Sequence, residues 1–227
     1  MARRAKREER PMPPPLPPET RTVGQLVGEA IKLYGAHFMR ALPLGIVVAA
    51  VNQATVGVDR LTAGAVLLVA APVFSAAFAY ACALGIETPP VRAWVVAIGV
   101  GCVVWIPAAL LMPWFALAGV LWLALAGLAV PVALREGASF TGSLRRGLAL
   151  GRVDYLHAAG ALATLVILFF VMRIGLALLL ESQADNTVRT AIFLADAVLA
   201  PLLFLGGAVL YVDQDARLRS RGQRPKE

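Results

Sequence analysis

Arg173 stands alone as a charge inside "FFVMRIGLALLL", Phe169 to Leu180, a run otherwise made of apolar side chains and one glycine. The next apolar run carries a single acid, Asp196 in "FLADAVLAP". Counted from the connecting stretch "ESQADNTV", both lie at a similar depth, roughly 10 Å at the 1.5 Å rise of a helix. A charge in the hydrocarbon layer costs about 2.5–3.5 kcal/mol on insertion scales and is almost always paired inside the bundle. The expectation is therefore an Arg173–Asp196 ion pair facing protein or water. Two uses of such a pair stay open. It can fix the rotation and register of two helices, or it can serve a proton- or substrate-coupled site opening to the outer face, with Glu181 and Asp185 at its mouth.

Other chemistry-bearing patterns are missing. There is no nucleophile elbow, phosphate loop, zinc motif or dinucleotide fingerprint, so no catalytic residue, metal ligand or cofactor is expected and the chain reads as a non-enzyme. His37 and His157 each fall at the foot of an apolar segment, and Cys82 and Cys102 lie within such segments as small packing residues.

What must position the pair is a membrane bundle. Hydrophobic residues make up 59% of the chain and charged ones 15%, against about 25% charged in soluble domains. From Ala93 to Leu134 no charged, amide or hydroxyl side chain occurs, which suits two spanning helices of about 20 residues each joined by a tight turn. Apolar runs place six spans near 39–57, 62–84, 93–111, 114–134, 157–180 and 190–212. The first is the weakest, because it contains Asn52, Gln53 and Thr55. With six spans and both termini inside, every basic residue but Arg60, Arg173 and Arg189 falls on the inner side, as positive-inside orientation requires. The expected setting is the cell inner (plasma) membrane. The net charge of +7 flanks apolar segments instead of striping a soluble face, so nucleic acid is not an expected partner.

Trp94 and Trp114 fall at span ends as belt aromatics, whereas Trp105 and Trp122 fall deeper as packing residues. Pro43, Pro72, Pro107, Pro131 and Pro201 fall inside spans, where neighbours can re-satisfy the freed carbonyls. Ala77 with Ala81 and Ala159 with Ala163 offer small-residue crossings. Residues 1–20 read as a disordered basic and proline-rich tail, 21–214 as the six-span domain and 215–227 as a basic tail. Two stretches read as cytoplasmic interfacial amphipathic helices. One carries Val23, Leu26, Val27, Ala30, Ile31 and Tyr34 on a face, and the other Phe140, Leu144 and Leu148 with Arg145, Arg146 and Arg152 supplying charge. The fold class is thus all-α: a polytopic bundle of six transmembrane helices plus two interfacial ones.

Three stretches carry a resemblance. "VPVALREGASFTGSLRRGLALGR", Val130 to Arg152, has the pattern Pro-x4-Glu followed by Ser-Leu-x2-Gly, and "AVLYVDQDARLRSRG", Ala208 to Gly222, resembles a terminal Leu-Tyr-x-Asp-x-Arg-x-Arg-x2-Gly signature. With "VGQLVGEAIKLYGAHF" at the start, the chain resembles the membrane-domain family sometimes fused to glycerophosphoryl diester phosphodiesterases. The resemblance implies six spans with cytoplasmic amphipathic segments over roughly residues 20 to 222. Its motif residues here are Pro131, Glu136, Ser143, Tyr211, Asp213 and Arg217, while Asp215 replaces an expected arginine. The soluble phosphodiesterase barrel is absent from this sequence, so no hydrolase activity follows from the resemblance. Most members are bacterial multi-span proteins of unknown function.

Function reads in two main ways, with a lipid-modifying enzyme as a third that a cleft holding several polar side chains at headgroup depth would favour. The first is an integral membrane protein acting as a scaffold or accessory subunit, with membrane lipids, anionic headgroups at the cytoplasmic face, and a membrane protein or a second copy of the chain as partners. The alternative is a small transporter or lipid-handling protein using the Arg173/Asp196 region. A dry, tightly packed bundle favours the first, and a hydrated cavity joining Arg173 and Asp196 to one face favours transport.

Overall fold

The computed structural model describes residues 17–84 and 89–223. Residues 1–16 of the expected proline-rich tail and the last residues of the basic tail lie outside the described residues, while Pro18–Thr20, expected to be disordered, form a short 3-10 turn. The described chain is helical, with no strand: α1 (Val23–Ala36), α2 (Phe38–Ala54), α3 (Arg60–Ala83), α4 (Val91–Leu111), α5 (Ala116–Ala126), α6 (Ala129–Arg135), α7 (Phe140–Val153), α8 (Tyr155–Leu179), α9 (Asp185–Leu199) and α10 (Pro201–Gln223).

Five helical stretches are long and apolar enough to cross a membrane: α3, α4, α5 continued by α6, α8, and α9 continued by α10. A sixth arises if α1 and α2 are counted as one broken span, bent by 109° at His37. The weak first segment is thus weak in structure too, since α2 ends at Ala54, short of the expected residue 57. Gly57 takes a left-handed conformation (φ 76°) to turn the chain. Asp59 then caps α3 by accepting from the Leu61 and Thr62 amides. The Thr62 hydroxyl and amide hold its carboxyl below the usual range.

Proline acts in two ways. Pro43, Pro72 and Pro107 sit inside helices. Pro201 lies within the α9–α10 span, as expected, and starts α10 after a break at Ala200, because it cannot donate to the Ala197 carbonyl. The Tyr34 hydroxyl donates to the neighbouring Val198 carbonyl at 2.7 Å, so α1 helps to close that break.

Both amphipathic helices form, and both turn inward. In α1, Leu26, Ala30 and Tyr34 are buried, but Ile31 is half exposed and falls outside the buried face. In α7 the fully buried residues are Ser143, Gly147, Leu150, Gly151 and Val153; of the expected apolar face, Leu144 and Leu148 are partly buried against the core and Phe140 is exposed. The closest contact is set sterically: a Cβ at Gly147 would stand 2.4 Å from the Ala129 backbone, so α7 approaches α6 through its smallest residues, with Leu144 and Leu148 packed beside that contact. Gly147→Ala is accordingly expected to destabilise by about 1–3 kcal/mol or more. Gly175→Ala, where a Cβ meets nothing within 4 Å, is expected to be neutral or to stabilise by about 0.5–1 kcal/mol. Thermal melts of the two variants in one detergent check the contrast.

The division at residue 214 also differs. α10 continues to Gln223, and Asp215 is buried, so the start of the expected basic tail is packed helix.

Candidate functional site

Three features of the bundle bring polar or binding-competent groups together. The first is the charged pair. Gly45 of α2 lies so close to α9 that a Cβ there would stand 1.8 Å from the Ala197 carbonyl oxygen. That approach lets α2 reach α9 with short polar side chains. Asn52 Nδ2 donates to Asp196 Oδ2 at 2.9 Å, and Gln53 Nε2 donates to the Arg189 carbonyl at 2.9 Å. From α8, Arg173 Nη1 stands 3.4 Å from the same Asp196 Oδ2. Asp196 is 1% exposed, and its Oδ1 has no partner among the described residues. The site is therefore a triad, not a pair. Asn52 was visible beforehand only as a polar blemish in a weak span. Glu181 and Asp185 line a separate recess with Gln183 and Arg189, which neither Arg173 nor Asp196 lines.

The second feature is an open-mouthed cavity of about 430 Å³ lined by α2, α3, α4, α5, α8 and α10, within the range of about 300–1,000 Å³ typical of ligand pockets. Its wall runs along α3 from Ala63 to Phe78, about 22 Å of helix. Ala116 and Phe170 line it and are themselves exposed, which puts its mouth between the start of α5 and the middle of α8. The lining is apolar except for Asn52, Thr55 and the indole of Trp105. Asn52 belongs to both cavity and triad. Little in the sequence announced this space, because its apolar lining residues read as ordinary core and Asn52 and Thr55 only as polar residues in a weak span.

The third feature is a polar cluster where the start of α1, the ends of α6 and α10, α7 and the foot of α8 meet. Arg21 Nη1 donates to Asp213 Oδ1 at 3.0 Å, and Arg217 donates to Asp154 Oδ2 and to the Arg21 carbonyl, each at 2.7 Å. His157 Nε2 lies 4.0 Å from Asp213 Oδ2, an oxygen without a hydrogen-bond partner, and 3.4 Å from Arg217. Gln214 and the Asp154 backbone exchange two hydrogen bonds, at 3.1 and 3.2 Å. Beside them the Tyr211 hydroxyl donates to Glu136 at 3.0 Å, and Arg135 lies over the Tyr211 ring. Arg146 bridges Glu136 and Asp215, and Asp215 also pairs with Arg219.

Of the sequence-motif residues, Glu136, Tyr211, Asp213 and Arg217 stand in this cluster. Ser143 is buried in α7 with its hydroxyl donating to the Ala138 and Ser139 carbonyls, and Pro131 is buried in α6. Asp215, the departure from the family-like pattern, is used: it holds Arg146 of α7. Arg21, Asp154, His157 and Gln214 meet these partners on α10 and at the foot of α8 through long-range contacts, which the sequence pattern does not show.

Among the described residues no group of three His, Cys, Asp or Glu side chains is arranged to hold a metal ion. Compared with known proteins, the chain matches no family model, no curated protein and no solved structure.

Proposed function

We propose that this is a lipid-handling membrane protein that takes one apolar chain into the cavity behind α8. The observation that carries the reading is the cavity itself: about 430 Å³ of apolar space, with uncharged polar groups at one end and an exposed mouth. An apolar volume of this kind favours apolar contents, and in a bilayer the abundant apolar solute is a lipid chain. The Asn52–Asp196–Arg173 triad braces α2, α8 and α9 around that space. In this reading the basic end of the bundle, with Arg21, Arg135, Arg146 and Arg217, faces the cytoplasm of a bacterial cell across its inner membrane. Arg145 and Arg152, exposed on α7, are then set to meet anionic headgroups.

The accessory-subunit reading is the second, and the close helix crossings at Gly45 and Gly147 support it. Extraction of the tagged protein into polymer-bounded native nanodiscs, with mass spectrometry of what is retained, separates the two. Under the lipid-handling reading one lipid is enriched well above the surrounding membrane, and Ala116→Phe at the mouth removes the enrichment while the folded yield holds. A stoichiometric protein partner with bulk-like lipid would favour the accessory subunit instead.

A further inference from the structure

We infer that the cavity's ligand is a single-chain lipid with an uncharged, hydroxyl-bearing headgroup seated at Asn52 and Thr55. This rests on the lipid-handling reading and adds the class of lipid. The volume of about 430 Å³ suits one drug-sized ligand, which is one chain and not a two-chain phospholipid.

The polar end sets the headgroup. One N–H of Asn52 is committed to Asp196. Its other N–H and its Oδ1 have no protein partner among the described residues. The Thr55 hydroxyl donates to the Asn52 carbonyl at 2.9 Å, which leaves its own lone pairs to accept. Thr55 follows the end of α2, and Ala63 and Ala116 lie near the starts of α3 and α5, so donors and acceptors sit at the same end of the bundle as the mouth. A hydroxyl both donates and accepts, and matches such a rim.

A charged headgroup does not match it. A carboxylate or phosphate would compete with Asp196 for Arg173, which already stands 3.4 Å from that acid, and would face a like charge. An ammonium would need Asp196 Oδ1, which is sealed from solvent. Either charge would lose its hydration in an apolar wall at a cost of several kcal/mol. A hydroxyl loses less and regains most of it through one or two hydrogen bonds.

The test uses the full chain in nanodiscs with three added probes, read by native mass spectrometry: monoolein, oleic acid at a pH where it is ionised, and dioleoyl phosphatidylglycerol. The expected result is one monoolein per protein, with oleate at least tenfold weaker. Ala116→Phe abolishes monoolein binding. Thr55→Val, which leaves the Asn52–Asp196 bond in place, weakens monoolein about fivefold, the worth of one neutral hydrogen bond. Oleate binding as tightly as monoolein, or an unchanged Thr55→Val, would overturn the headgroup assignment and leave the lipid-handling reading standing. Preferential retention of phosphatidylglycerol would overturn the single-chain assignment. Equal retention of all three probes by the native protein and Ala116→Phe would overturn both readings.

Discussion

Asp196→Leu is expected to destabilise the protein by about 3–5 kcal/mol, while Arg173→Leu combined with Asp196→Leu recovers most of that loss. The single change leaves the Arg173 guanidinium deep in α8, 22% exposed, without its counter-charge, whereas the double change removes both charges and their desolvation together. Hydrogen bonding alone is too small to give this pattern. Polar contacts between membrane helices average about 0.6 kcal/mol and reach about 1.7, so Asn52→Leu should cost much less than Asp196→Leu. Thermal melts of the four proteins in one detergent measure all three numbers. A single variant as stable as the native protein, or a double variant no better than the single, would mean that Arg173 and Asp196 do not compensate each other.

Asp213→Ala is the second large effect, again about 3–5 kcal/mol, at the other end of the molecule. Asp213 is 0% exposed and ties α10 to Arg21 just ahead of α1. Without it the Arg21 charge is stranded 17% exposed, and Arg217 loses the backbone carbonyl that Arg21 presents to it if the start of α1 swings away. The exposed Lys32–Glu29 pair on α1 makes the comparison, with Lys32 71% exposed, and Lys32→Ala should cost no more than about 1 kcal/mol. The loss at Asp213 should also appear locally, as faster proteolysis at α1 before global unfolding. Equal melts for Asp213→Ala and Lys32→Ala would remove the cluster from any structural role.

The long helices were legible because the bilayer leaves a coarse signal: apolar runs of the right length separated by charge. The Arg173–Asp196 juxtaposition was legible for a related reason, since a lone charge in an apolar run has few affordable solutions and two such runs share a hairpin. Asn52 was not, because an amide in a span has no preferred partner until α2 and α9 touch at Gly45. The apolar pattern of α7 finds Leu144 and Leu148, which pack on the core, but not the closest contact, which is decided by what is absent from Gly147. Asp215 reads as the start of a basic tail, yet it is buried, as are Asp213 and Gln214 before it. Charge predicts exposure only where no counter-charge arrives, and here Arg21, Arg146 and the foot of α8 arrive from distant parts of the chain. The cavity left little trace in the sequence, because empty space is a property of helix placement and not of any one residue.

The central claim is that a lipid chain enters the space beside Trp105, which is stacked on Phe74 at 5.1 Å and lines the cavity wall. It is tested most directly by Trp105 fluorescence in bilayers of chain-brominated lipid, taking the signal as the difference between the native protein and Trp105→Phe. If a chain occupies the cavity, bromine quenches this signal strongly in the native protein and weakly when Ala116→Phe closes the mouth. Quenching of equal strength with the mouth open and closed would place every chain outside the bundle and contradict the account.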